Sequence, residues 1–144
     1  MKNSDTNKEL KMLVGREAAA LVQDGMICGL GTGSTAACMI EELGRRVREE
    51  QLRFVGVPTS FQSKILCQKH GIPTRDIQDC NELDLAIDGA DEVDPQLNLI
   101  KGGGAAHTRE KIVAAMAKEF IVIVDQSKLV SRLNQSFPIP VEVV

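Results

Sequence analysis

Five short segments of this 144-residue chain hold most of the side chains that could do chemistry. They read Gly31-Thr32-Gly33-Ser34-Thr35, Thr59-Ser60, Asp88-Gly89-Ala90-Asp91, Lys101-Gly102-Gly103-Gly104 and Asp125-Gln126-Ser127-Lys128. In the first, glycines allow close approach of backbone N–H groups to an anion, and a helix start favours negative charge. Ser34 and Thr35 add hydroxyl donors, or simply cap the helix that follows. A Walker A loop needs a Gly-Lys-Ser/Thr ending, and no lysine stands here. A dinucleotide site wants an acid at the end of the next strand, which instead reads Val57-Pro58-Thr59-Ser60. A small phosphate fits the loop better than a nucleotide.

The acidic segment offers Asp88, Asp91, Glu92 and Asp94. Carboxylates beside a phosphate site suit sugar hydroxyls or proton transfer, or they form an Asx turn. Their spacing is not that of a calcium loop. The glycine triplet continues Lys101-Gly102-Gly103-Gly104-Ala105-Ala106-His107-Thr108-Arg109-Glu110. A lysine and three glycines opening a helix make an anion hole, and Lys101 could stabilise a developing oxyanion. Glu110 lies near the start of that helix, where an acid ordinarily serves the helix dipole. Lys11 and Lys128 would add cations for an anionic ligand, if they face the same place.

The elements that must position these segments alternate between two periodicities. Helical spacing predicts helices over residues 7–23, 35–50, 61–70 and 106–118. In the first, Leu10, Leu13, Val14, Ala18, Leu21 and Val22 form the expected buried stripe, with Glu17 an anomaly inside it. In the second, Glu41 and Glu42 pair with Arg45 and Arg46 as a solvated face. Short apolar runs predict strands over 26–30, 53–57, 83–88, 97–100 and 120–124. Such alternation implies an α/β domain with a mostly parallel sheet. Turns after the strands of a parallel sheet share one edge, so the five segments should converge on one crevice. Residues 137–144, with Pro138, Pro140 and an apolar end, break the pattern and predict the opening strand of a second unit.

Composition removes several function classes. Hydrophobic residues make up 43% and charged residues 26%, which excludes a wholly disordered chain. A formal net charge of −3 forces no basic face, and 3% aromatics supply no stacking platform, so nucleic-acid binding is not expected. No apolar run approaches a membrane span, and residues 1–11 carry no signal-like apolar region, so a cytoplasmic protein is expected. Cys28, Cys38, Cys67 and Cys80 form no CxxC pair and read as buried free thiols; with only His70 and His107 besides, no metal site is expected.

Taken in order, Gly31-Thr32-Gly33-Ser34-Thr35-Ala36, Asp88-Gly89-Ala90-Asp91-Glu92, Lys101-Gly102-Gly103-Gly104-Ala105-Ala106, Thr108-Arg109-Glu110-Lys111 and Ser127-Lys128 resemble the type A ribose-5-phosphate isomerases. The likeness runs from Glu9-Leu10-Lys11 to Phe137-Pro138-Ile139-Pro140-Val141-Glu142-Val143. It implies an open, mostly parallel, Rossmann-like sheet with flanking helices. It implies interconversion of ribose 5-phosphate and ribulose 5-phosphate in the pentose phosphate pathway, with no metal or organic cofactor. Matched by motif, Glu110 is the base, Lys101 the oxyanion holder and Asp88 the ring-opening group. The implied substrate shell is Lys11, Thr32, Gly33, Ser34, Thr35, Gly89, Ala90, Asp91, Gly102, Gly103, Gly104 and Lys128. The family continues past the position of Val144 into a small α+β domain with oligomer contacts. The resemblance therefore divides this chain into a catalytic domain at 1–136 and the start of that domain at 137–144, and implies a homo-oligomer (dimer or tetramer) for the longer form.

Two other readings stand beside this one, the first of a different class. A sugar-phosphate sensor would keep the phosphate loop and would have no chemical need for Glu110 and Lys101. An inactive fragment of the isomerase would bind pentose phosphate without turning it over.

Overall fold

The computed structural model describes residues 2–143, with side chains from Thr6 onward. The limits of the expected domains at 1 and 144 therefore lie outside the described residues. Helix α1 spans Lys2–Ala19, β1 Ile27–Leu30, α2 Ser34–Glu49, β2 Val55–Pro58 and α3 Phe61–Lys69. Then come β3 at Leu83–Asp88, β4 at Glu92–Val93, β5 at Leu99–Ile100, α4 at His107–Met116 and β6 at Ala117–Val122. Short 3-10 turns cover Ile77–Asp79 and Gln126–Lys128.

Four strands form one sheet in the order β2-β1-β3-β6, and every neighbouring pair is parallel. This is the expected open parallel α/β sheet. Strands β4 and β5 make a separate antiparallel pair, Glu92 opposite Ile100 and Val93 opposite Leu99. The main core packs Cys28, Leu30, Leu85 and Ile87 of the sheet against Ala18, Ala19 and Val22, and against Met39, Ile40 and Leu43 of α2. A second cluster on the other face joins Val57, Leu83, Ala86 and Val113. Both faces of β3 are thus covered, as a central parallel strand requires.

Helix α1 differs from its expected packing. Leu10, Leu13 and Leu21 are 44%, 55% and 47% exposed, and Glu17 lies on that same exposed side. The inward face is Gly15, Ala18, Ala19 and Val22. The cause is close helix contact: a β-carbon on Gly15 would come within 2.8 Å of the Met39 backbone nitrogen. Small residues at that crossing bring α2 near, and the larger leucines turn outward. Glu17 is then an ordinary exposed carboxylate. The helix also ends at Ala19 rather than residue 23.

Arg46 is more than a solvated charge. Its guanidinium donates to the Ala19 and Val22 carbonyls at 2.5 and 2.9 Å, closing the end of α1. Arg45 pairs with Glu42, Glu49 and Glu50, while Arg46 takes Glu50. Helix α4 stops at Met116 and β6 starts at once, so Lys118 and Glu119 are strand residues, not the helix end. The predicted run at 97–100 pairs only at Leu99–Ile100. Over residues 137–143 no strand pairing exists among the described residues. Cys28 and Cys67 are buried free thiols, whereas Cys38 and Cys80 are half-buried.

Candidate active site

The turns after β1, β3 and β6 meet the Lys101 loop at the carboxyl edge of the sheet. They enclose a crevice of about 160 Å3 lined by Thr32 to Ala36, Gly89 to Asp91, Lys101 to Gly104, Glu110, Ile123, Val124 and Lys128. Parallel strand direction makes this convergence geometric rather than accidental.

Asp88 ends β3 and turns back across the sheet. Its Oδ1 accepts from the Thr32 N–H at 3.1 Å and the Gly89 N–H at 2.8 Å. A β-carbon on Gly31 would stand 2.0 Å from that same oxygen, so only glycine fits there. Gly33 adopts φ 104 at the start of α2, a conformation other residues rarely take, and no side chain caps that helix. Thr32 Oγ1 meets the hydroxyls of Thr59 and Ser60 at 2.8 Å each, which draws the turn after β2 against the loop at residues 31–35. Ser60 itself caps α3 in a box with Ser63.

Lys101 lies between two carboxyls. Its Nζ is 3.2 Å from Asp88 Oδ2 and 3.8 Å from Glu110 Oε1, and it also donates to the Gly89 carbonyl. Asp88 Oδ2 and Glu110 Oε1 are buried and, among the described residues, meet no hydrogen-bond donor in good geometry. Glu110 is only 7% exposed. Burial pushes its carboxyl up to about 7, the Asp88 charge pushes the same way, and Lys101 opposes both. A carboxyl with that value gives and takes protons at neutral pH. On the far wall, Asp91 Oδ2 accepts from the Gly103 N–H at 2.9 Å. Asp125 accepts from the Ser127 N–H at 2.8 Å and from its hydroxyl, which fixes the short turn carrying Lys128.

Most residues singled out from the sequence line this crevice. Asp88 stands behind it and reaches it through Lys101. Lys11 is not a lining residue; its charge acts on Asp125 and Cys38. Sequence reasoning missed Ala36, Ile123 and Val124 as lining groups. Glu92 and Asp94, grouped with the acids of the site from sequence, do not line the crevice: Glu92 is completely buried against residues 134–137, and Asp94 accepts from the Gln96 and Asn98 N–H groups in its own turn. Among the described residues, no group of three or more His, Cys, Asp or Glu could hold a metal ion. Among the described residues, no helix is long and apolar enough to cross a membrane.

The parallel sheet, the glycine-lined crevice and a buried carboxyl–ammonium–carboxyl cluster behind it make an α/β domain whose donors suit an anionic ligand and whose carboxyls suit proton transfer. A family model described as ribose 5-phosphate isomerase A (phosphoriboisomerase A) matches residues 55–144. The chain belongs to that family. It is 57% identical to ribose-5-phosphate isomerase A of Thermosynechococcus vestitus over 143 residues, covering 99% of this chain and 61% of the relative. The solved ribose 5-phosphate isomerase A of Methanocaldococcus jannaschii superposes with a TM-score of 0.88 at 53% identity, covering 92% of this chain and 59% of that one. A D-ribose-5-phosphate isomerase solved in complex with phospho-erythronic acid also gives 0.88, at 49% identity, covering 90% and 57%. The chain spans about three fifths of the length of the curated relatives it matches.

Proposed function

We propose that this chain carries the catalytic centre of an aldose–ketose isomerase that interconverts ribose 5-phosphate and ribulose 5-phosphate. The observation that carries this reading is the buried Glu110 carboxyl with a value of about 7, 3.8 Å from the Lys101 ammonium. In the open-chain aldose, Glu110 removes the proton from C2. The electron pair moves into a C1–C2 double bond and the C1 carbonyl oxygen becomes anionic. Lys101 and the glycine-loop N–H groups of Gly102 and Gly104 stabilise that enediolate oxygen, while the Gly103 N–H holds Asp91. Glu110 returns its proton to C1, the O2 hydroxyl proton passes to O1, and a ketone remains at C2.

The remaining residues divide between ends of the substrate. Asp88 assists ring opening, and Asp91 with Gly89 and Ala90 binds sugar hydroxyls. The loop of Thr32, Gly33, Ser34 and Thr35, with Lys128, forms the surrounding shell and faces the phosphate, and Lys11, outside the crevice lining, adds only longer-range positive charge. The donors present suit this assignment: the start of α2 has unused N–H groups and no acid in its first turn. The names of the relatives support the isomerase activity and with it a role in the pentose phosphate pathway; a cytoplasmic location and a homo-oligomeric longer form are proposed with that reading.

The test is turnover of ribose 5-phosphate by this chain in the presence of a chelator, beside Glu110→Gln. Turnover by the parent and its loss in a folded variant support the assignment. A folded parent that binds ribose 5-phosphate without converting it supports the sensor or fragment reading. A folded parent that does not bind it overturns the site.

A further inference from the structure

Helix α4 carries Glu110 but brings no cap of its own. Its N-cap residue is Ala106, which has no side-chain oxygen to accept from the first-turn N–H groups. The missing acceptor comes from far along the chain: Glu142 Oε2 accepts from the Thr108 N–H at 2.6 Å. That bond holds the Glu142 carboxyl below the ordinary carboxylate range. Glu142 is held in turn by a strap that begins at Asn134. The fully buried Glu92 carboxylate accepts from the Asn134, Ser136 and Phe137 N–H groups at 2.7, 2.7 and 2.8 Å, and from the Ser136 hydroxyl at 2.9 Å. A buried charge satisfied so fully fixes the backbone that surrounds it. From there the strap lays Phe137 against the glycine loop, where a β-carbon on Gly103 would come within 2.6 Å of the ring. It ends with Glu142 on α4. Both the oxyanion loop and the helix of the base are therefore braced from outside by one segment.

We infer that Glu142 is a positioning residue: it caps α4 in trans and so fixes the distance of Glu110 from Lys101. This inference rests on the isomerase reading for its kinetic consequence, and its structural half stands apart from that reading. The carboxylate is needed as an acceptor, so a neutral amide serves nearly as well and a methyl group does not.

The experiment compares the whole chain with Glu142→Ala and Glu142→Gln. Two things are measured: kcat and KM for ribose 5-phosphate, and hydrogen exchange at the Thr108 amide. In Glu142→Ala, kcat should fall about tenfold while KM moves less than about twofold. Exchange at Thr108 should quicken about fivefold. Glu142→Gln should restore both. A Glu142→Ala variant with unchanged kcat overturns the inference, as does a fall in kcat that Glu142→Gln does not rescue. If the parent turns nothing over, the isomerase reading fails first. The cap is then judged by exchange alone, and an unchanged Thr108 amide in Glu142→Ala overturns it.

Discussion

The Nζ atom of Lys101 lies 3.8 Å from Oε1 of Glu110, within range of charge attraction but beyond a hydrogen bond. The same ammonium is 3.2 Å from Asp88, so one cation is shared by two carboxyls. With both ionised, the cluster holds a net negative charge inside a buried space. A proton relieves that imbalance, and Glu110 takes it readily near neutrality.

The acid limb of catalysis follows from this arrangement. Glu110, pushed up to about 7 by burial and by Asp88, must be deprotonated to act as the base. Plotted against pH, kcat/KM should rise roughly tenfold per unit below that value and level off above it. Lys101→Met should move the bend to higher pH, since the lysine opposes the rise. A profile flat from acid to neutral pH would contradict the role of Glu110.

Glu110→Gln should lower turnover by about 10²–10⁴-fold while leaving the fold and ribose 5-phosphate binding intact. Rate measurements paired with calorimetric binding check this. Loss of binding equal to loss of rate would mean that Glu110 serves the ground state instead.

Stability carries the opposite sign. The Glu110 carboxyl sits at about 7 in the folded chain against an ordinary 4.5, so the folded state holds the extra proton between those values. Its contribution is therefore full at low pH and is lost as pH rises through about 7. Relative to the parent, Glu110→Gln should gain Tm at about pH 8 more than at about pH 4. Thermal melts of both proteins at the two pH values measure the difference.

Gly31→Ala should be harmful out of proportion to its size. The new methyl would meet Asp88 Oδ1 at 2.0 Å and the Asp88 Cα at 2.7 Å, so β1 and β3 cannot both stay in place. The expected loss is about 1–3 kcal/mol of stability, with activity falling further because Asp88 must move away from Lys101. Denaturant unfolding and turnover of the same sample test both halves.

Ala105→Gly should do the reverse. Ala105 has φ 60, where a side chain is strained, and it sits where the glycine loop enters α4. Removing the methyl should stabilise the chain by up to about 1 kcal/mol, less whatever the freer unfolded chain gains. A lower Tm would mean that the Ala105 methyl has packing value that outweighs its strain.

Much of this was legible in the sequence, and the gaps have physical causes. β3 was expected at residues 83–88 and lies at Leu83–Asp88, because its apolar run is bounded sharply by charge and glycine. The convergence of the turns after β1, β3 and β6 is legible because strand direction implies it, whereas the Lys101 loop arrives from the separate β4–β5 pair and Thr59 and Ser60 do not line the crevice. The inward face of α1 was not, since a Gly15 crossing against the Met39 backbone is a property of two helices together. The end of α4 was missed because no glycine or proline marks it. Glu92 and Glu142 act on partners 42 to 45 and 34 residues away, and local spacing holds no trace of such bonds.

The crevice takes its walls from Thr32 at one extreme and Lys128 at the other. The strand beside β1 that supplies Asp88 comes after β2 and α3 have already been made. A chain still emerging from the ribosome thus has the loop at residues 31–35 long before it has Lys101, Glu110 or Lys128. The crevice gains its last wall only when the turn carrying Lys128 follows β6 at the edge of the sheet.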